Sequence, residues 1–300
     1  MGNQLVTGTR ALLSMSGIGA VVDTDTGEIE GTVPISQFTK PPLIIFTEPF
    51  FKLQRTQDKG FGLFAARSIP RGTRIIEESP LLAMPHEQGC DLSAINLENA
   101  LQGLNREQRD KFFELHRNRG LSSQESQELT NLNRGGLADA AAIFEANCVE
   151  MSEINTTRAG VFEHYSRINH ACNPNVHNSY NLTLGKLTVH AIQQINKGEE
   201  LLTSYIDGTC KTRQQRQKIL IDWGFECGCK TCTGPKAAAS DERRGRMFDM
   251  TQQLAFYAAG QRQTTGSPVP SGPTKALELA KDLLKLYNFE GITDLSLVEM

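Results

Sequence analysis

The sequence has no run of apolar residues near the ~18 that a membrane-spanning helix needs, so no span is expected. It has no positive charge to spare either. Thirty-one Lys and Arg stand against 34 Asp and Glu, for a formal net charge of −3. Such a chain lacks the polycationic surface that grips nucleic-acid phosphates or an anionic bilayer, and direct partnership with either is not expected. The opening MGNQLVTGTR has no basic segment followed by a long apolar one, so no signal peptide is read. Gly2 is followed by Val6 where a myristoylation signal wants Ser or Thr. A soluble, intracellular protein is the expectation. A disulfide framework is missing as well: the cysteines number seven, an odd count, with Cys90, Cys148, Cys172 and Cys210 far apart. Cys227, Cys229 and Cys232 crowd into six residues, too close to pair among themselves. They read as metal ligands awaiting a fourth.

What is present suffices for a core. The 300 residues are 39% hydrophobic and 22% charged, enough for one large or two modest domains. Residues 1–40 carry little charge and no sustained period; a strand or two is expected there. The apolar runs at 43–46 and 50–53 are β-prone, with a turn at Glu48-Pro49 between them. Gly60 and Gly62 bracket Phe61 in a hairpin, and Pro70-Arg71-Gly72 turns into a strand at 73–78. From about 92 to 151 the period becomes helical, through Leu97, Leu101, Leu104, Phe112 and Leu115, then Leu137, Phe144, Cys148 and Met151. The stretch 119–136 reads as a polar loop. Strand character returns at 182–184, 187–192 and 200–206. A helix over 212–223 is capped by Thr212, with Ile219, Leu220 and Trp223 on its buried face, and stops at Gly224. Helices are expected at 247–259 and 274–288, with a loop over 264–273 between them. The last residues, 295–300, remain apolar, as at a cut from a longer chain.

Four segments carry candidate chemistry. The Gly60-Phe61-Gly62 hairpin reads as an ordinary turn, or as one whose backbone a ligand can approach closely. Asn169-His170-Ala171-Cys172-Asn173-Pro174-Asn175 reads as an Asn-rich loop or a polar site. Tyr205, at the end of GEELLTSY, is a core aromatic or a phenol that orients a nucleophile. In FECGCKTC, the spacing C-x-C-x-x-C wraps one tetrahedral Zn²⁺ or is a cluster of buried free thiols.

Taken in order, GFGLFAARSIPRG, RINHACNPN, GEELLTSY and FECGCKTC resemble the SET-domain protein methyltransferases over about residues 43–235. The resemblance is to the fungal SET and MYND-SET branch, with a helical insertion and a post-SET zinc site but no MYND finger. It implies an α+β, mainly β fold of short strands around a pseudoknot. The division it implies is a leader at 1–41, a SET domain at 42–226 with its helical insertion at 87–151, a zinc loop at 227–235 and a C-terminal helical segment at 236–300. The implied activity is methyl transfer from S-adenosyl-L-methionine (AdoMet) to the lysine amine of a protein, histone or not, in the cytoplasm or nucleus. Tyr205 is the implied catalytic residue. Lys59, Gly60, Phe61, Gly62, Asn147, Asn169, His170, Tyr205 and Phe225 are the implied AdoMet contacts, with Phe225 stacked on adenine. Cys172 is implied as the fourth ligand to a structural zinc with Cys227, Cys229 and Cys232. Ala171 departs from the family's usual Ser. The alternatives are a SET-fold enzyme acting on a small-molecule amine and a non-catalytic, zinc-stabilised scaffold.

Overall fold

The computed structural model describes residues 10–15, 18–23, 29–34, 49–86, 92–117, 135–151, 157–207, 210–261 and 268–292. The chain forms two compact units, Met1–Glu48 and Pro49–Met300. In the first, β1 (Arg10–Met15), β2 (Ile18–Asp23) and β3 (Ile29–Pro34) make an antiparallel meander. The segments 43–46, 119–134 and 295–300, and Cys90, lie outside the described residues.

The second unit opens with the expected hairpin. β4 (Phe51–Arg55) pairs with β5 (Phe61–Ala65), and the turn closes when the Thr56 N–H donates to the Gly60 carbonyl at 2.8 Å. Gly60 sits at φ +76°, a conformation that costs a side-chain-bearing residue about 1–2 kcal/mol. β6 (Arg74–Glu78) follows, then β7 (Leu82–Pro85).

The helical block comprises α1 (Ala94–Gln102), α2 (Arg106–Phe113) and α3 (Gly135–Asn147). The unbroken period from Leu97 to Leu115 is split, because Gly103 ends α1 and Asn105 caps α2 in a reciprocal box with Gln108. Such a cap contributes about 1 kcal/mol. Leu97, Leu101, Phe112 and Phe144 pack with Leu82 and Met84 of β7 in one core. The chain returns through β8 (Val149–Glu150) and β9 (Arg158–Val161), which joins β7 to β8.

β10 (Asn169–His170) precedes β11 (Val176–Asn181) and β12 (Lys186–Ala191). The latter two complete a sheet with β6, whose inner face buries Ile76, Val176, Leu187 and Val189 against Leu63 and Phe162. Leu182 and Leu184 are not strand residues. They lie exposed in the β11–β12 turn, where the Asn181 side chain accepts the Leu184 N–H and Gly185 takes φ +63°. Local Asx-turn chemistry overrides the apolar pattern there. Of the strand expected at 200–206, only β13 (Leu202–Thr203) forms a ladder.

Helix α4 (Arg213–Leu220) is capped by Thr212 as expected and passes through a 3₁₀ turn, Ile221–Trp223, to Gly224 at φ +75°. A single turn, α5 (Lys230–Thr233), carries the last cysteines. Helix α6 (Ala237–Ala258) starts ten residues before 247 and α7 (Pro273–Glu290) follows. The early start reflects a buried stripe of Ser240, Arg244 and Met247 at i, i+4 and i+7, two of whose members are polar and so invisible to a hydrophobic period. No helix among the described residues is long and apolar enough to cross a membrane.

Candidate active site

The site begins where β10 and β13 lie side by side in parallel, Asn169 opposite Leu202 and His170 opposite Thr203. Asn175 locks this crossing. Its amide Nδ2 donates to the Glu200 carbonyl (2.8 Å), its Oδ1 accepts the Leu202 N–H (2.7 Å), and its own N–H donates to the Leu202 carbonyl (3.0 Å). The motif's last asparagine is thereby structural, and the crossing carries Asn169-His170 toward Tyr205.

Asn169 faces the glycine hairpin. Its Nδ2 donates to the Phe61 carbonyl at 3.1 Å and to Glu200 Oε1 at 2.7 Å, while Lys59 Nζ pairs with Glu200 Oε2 at 3.1 Å. A Cβ on Gly62 would stand 2.7 Å from Glu200 Oε1 and 2.8 Å from Asn169 Nδ2, so any side chain there must push both groups aside. Glu200 was not singled out from the sequence, where Glu199-Glu200 looks like a solvated pair. Glu199 fits that view and turns back on Asn196. Glu200 follows it into the strand and points inward, 16% exposed.

His170 is buried and joins two features. Its Nδ1 accepts the Tyr205 N–H at 3.0 Å, and its Nε2 lies 3.3 Å from Cys172 Sγ. Because Nδ1 accepts, the proton of the neutral ring belongs on Nε2, facing the sulfur. Burial pushes the His170 pKa down to about 4, so the ring is neutral near pH 7. Tyr205 donates its hydroxyl to the Ile168 carbonyl at 2.8 Å. Burial holds its pKa well above the ordinary phenol value, and it stays protonated. The rings of His170, Trp223 and Phe225 surround it at centroid distances of 5.4, 6.1 and 6.4 Å. Phe225 is fixed by Gln217, whose Nε2 donates to its carbonyl while Oε1 accepts the Cys227 N–H, each at 2.9 Å. Asn147 makes its bonds elsewhere: Nδ2 donates to the Ile143 and His116 carbonyls, both at 2.7 Å, which ties α3 to the end of the α2 segment.

The turn that presents Ile168 has its own clamp. Glu78 accepts the backbone N–H groups of His164 (3.0 Å) and Tyr165 (2.8 Å), and lies 3.1 Å from His164 Nδ1. That hydrogen bond raises the His164 pKa, against the opposing effect of burial. The stabilisation is therefore fully present below the unfolded histidine pKa of about 6.5 and is lost as pH rises through the higher folded value. The expected outcome is that His164→Gln lowers the melting temperature more at pH 6 than at pH 9. The histidine is half exposed, so the difference is below about 1 kcal/mol. Equal losses at both pH values would refute the linkage.

The sulfur atoms of Cys172, Cys227, Cys229 and Cys232 all lie within 4.8 Å of one another, with three of the four residues buried. Cys172 Sγ is 3.8 Å from Cys227 Sγ and 3.5 Å from Cys232 Sγ. This donor set suits a tetrahedral four-thiolate zinc, closed to further ligands. Its surroundings fit the charge. Arg216, only 1% exposed, directs Nη2 at Cys232 Sγ (3.5 Å), and His170 offers its N–H to Cys172. Four thiolates around Zn²⁺ leave two net negative charges, which such donors offset. Sequence reasoning missed Arg216, because an arginine on an amphipathic helix ordinarily reads as solvated.

Residues 60–206 match the family model described as "SET domain". Histone-lysine N-methyltransferase set5 of Schizosaccharomyces pombe is 34% identical over 210 residues, covering 69% of this chain and 56% of that protein. N-lysine methyltransferase SMYD2-A of Danio rerio is 34% identical over 126 residues, 39% of this chain and 28% of that protein. N-lysine methyltransferase SMYD2 of Homo sapiens is 34% identical over 93 residues, 30% of this chain and 21% of that protein. The chain thus spans little more than half the length of the first of these relatives. With four ordered motifs converging on one crossing, the chain belongs to the SET-domain family, as a homologue of the SET5 and SMYD2 protein-lysine methyltransferases.

Proposed function

We propose that this chain transfers a methyl group from AdoMet to the side-chain amine of lysine in a protein substrate, histone or not, in the cytoplasm or nucleus. The observation that carries this reading is the single crossing at which Asn169 meets the glycine hairpin and His170 meets Tyr205. In this reading residues 42–226 form the catalytic domain, 227–235 the zinc loop and 236–300 a helical cover.

AdoMet supplies an electrophilic methyl group on a sulfonium. The chain's own part is to bind, orient and dry the reacting atoms. The backbone of Lys59–Gly62, the Asn169 amide, Glu200 and Lys59 hold the donor's polar end, and Phe225 covers its base. Glu200 suits an ammonium and Lys59 a carboxylate. The incoming lysine must be neutral to attack, which near pH 7.4 costs about 4 kcal/mol from a reference pKa of 10.4. Leaving water for a buried channel lowers that cost, since desolvation disfavours the ammonium form. The Tyr205 hydroxyl, kept protonated, orients the amine and does not remove its proton. Four cysteines hold zinc structurally, with no open position for chemistry.

The test is a calorimetric titration of AdoMet into zinc-loaded protein, followed by methyl-transfer assays on lysine-bearing proteins. Saturable one-to-one binding is expected. Gly62→Ala is expected to weaken it at least tenfold, about 1.4 kcal/mol, because the new methyl displaces both Glu200 and Asn169. Absence of binding by the folded, zinc-loaded wild type would overturn the reading.

A further inference from the structure

The C-terminal helix pair is bonded directly to the loop that carries Cys172. Helices α6 and α7 pack through Met247, Leu283 and Tyr287. At the end of α7 stands a carboxylate that is 4% exposed, Glu290. Its Oε1 accepts Arg243 Nε at 2.5 Å, and its Oε2 accepts Ser240 Oγ at 2.5 Å and Arg244 Nε at 3.3 Å. All three donors come from α6. Bonds from the pair also reach the Cys172 loop. Arg244 Nη2 donates to the Cys172 carbonyl at 3.3 Å, and Asn173 Nδ2 donates to the Glu290 carbonyl at 3.0 Å. Gly291, at φ +66°, ends the helix, and a Cβ there would lie 3.7 Å from Asn173 Nδ2.

Energetics argue against reading this network as glue alone. A buried ion pair repays little more than its desolvation, and packed apolar residues of similar size do as well or better for stability. What a guanidinium fork adds is geometry, with donors at fixed angles to two acceptors. Here one acceptor is the helix-end carboxylate and the other is the backbone of the proposed zinc ligand, two residues after His170. The docked helix end and the Asn169–Asn173 segment therefore share one set of hydrogen bonds.

We propose that Arg244 is a positioning residue: it transmits the docking of the C-terminal helix pair to the Cys172–Asn173 turn, and so sets how tightly the Asn169–His170 site binds its donor and how long the cysteine cluster keeps its metal. The part concerning the donor rests on the AdoMet reading above. Coupling of this kind ordinarily spans about 5- to 150-fold in affinity.

The experiment uses the zinc-loaded full chain with Arg244→Gln, Arg244→Lys, Asn173→Ala and, as a control, Arg243→Gln. Arg243 touches Glu290 and the Phe289 ring but not the cysteine loop. Three quantities are read: AdoMet affinity, the rate of zinc transfer to a chelator, and amide hydrogen exchange over 169–175. Arg244→Gln is expected to weaken AdoMet about tenfold, to speed zinc transfer, and to speed exchange in that segment. Arg244→Lys recovers part of each, because an ammonium cannot span both acceptors as the fork does. Arg243→Gln leaves all three near wild type. Asn173→Ala cuts the tie from the other side with little loss of packing, and decides the matter if Arg244→Gln does not fold. Folded Arg244→Gln or Asn173→Ala proteins with wild-type exchange over 169–175 and unchanged zinc transfer would overturn the proposal. Should the wild type not bind AdoMet, the functional reading fails while exchange and zinc transfer still decide the coupling.

Discussion

Replacing Tyr205 with phenylalanine is expected to lower the methyl-transfer rate by about 10²–10³-fold while AdoMet affinity changes little. The phenol hydroxyl is what the substitution removes, and it donates to the Ile168 carbonyl at 2.8 Å. Phenylalanine keeps the ring among His170, Trp223 and Phe225 and so keeps the pocket's shape. What is lost is the hydroxyl proposed to orient the amine, and the Ile168 carbonyl is left without its donor, at a cost of about 1–3 kcal/mol. The pH profile separates orientation from base catalysis. Burial raises the Tyr205 pKa, so the hydroxyl stays protonated across the working range. The rate of both proteins should therefore rise with pH in parallel, as the substrate lysine deprotonates, with Tyr205→Phe lower by a constant factor. A deficit that grows with pH would show the phenolate acting as base. A variant at wild-type rate would remove Tyr205 from the reaction.

The sequence motifs and the structure agree most closely where local chemistry decides the outcome. The Gly60–Gly62 hairpin, the Thr212 cap and the Gly224 stop are each fixed by one or two residues, and each forms as read. Helix α6 was half legible, since its buried stripe includes Ser240 and Arg244 and gives no apolar period. The crossing of β10 and β13 was not legible from physical rules at all. It is a two-residue parallel pairing held by Asn175 across about 27 residues, and neither propensity nor alternation announces it. The resemblance implied short strands around a pseudoknot and named no such pairing.

The site divides in the same way. Glycine, asparagine, tyrosine and the cysteine spacing have few common structural uses and so stood out. Glu200 and Arg216 did not, because both are residue types that usually face water. Their burial is decided by partners distant in sequence: Asn169 and Lys59 for the carboxylate, Cys232 for the guanidinium. Residues that hold an active site together are thus harder to read than those that do its chemistry, since only the fold supplies their partners.

The largest effect expected in the molecule follows from Cys172. Cys172→Ser is expected to abolish stoichiometric zinc retention and, with it, AdoMet binding, whereas Cys148→Ser leaves both unchanged. Cys227, Cys229 and Cys232 are neighbours in sequence, and losing one of them frays a local loop. Cys172 lies 55 residues before Cys227 and closes the long loop between the Asn169 segment and α5. Structural zinc sites in small peptides supply about 10–16 kcal/mol, comparable to the whole margin of a typical domain, about 5–15 kcal/mol. A serine oxygen is a poor substitute for thiolate, so much of that stabilisation goes. The consequence then travels along known bonds. With a hydroxyl in place of the sulfur, the His170 Nε2–H loses its thiolate acceptor and Arg216 faces a weakened anion. The ring that holds the Tyr205 N–H is no longer pinned, and Asn169 is the next residue along. Cys148, whose thiol burial pushes up to about 11, belongs to the helical core and touches none of these groups. Metal content by atomic emission, thermal melting and AdoMet titration read the three stages separately. A Cys172→Ser protein that kept one zinc per chain and wild-type AdoMet affinity would show that the other three thiols hold the metal alone. The bond from His170 to Cys172 would then be an incidental contact, and donor binding would depend on the hairpin and Asn169 without support from the cluster.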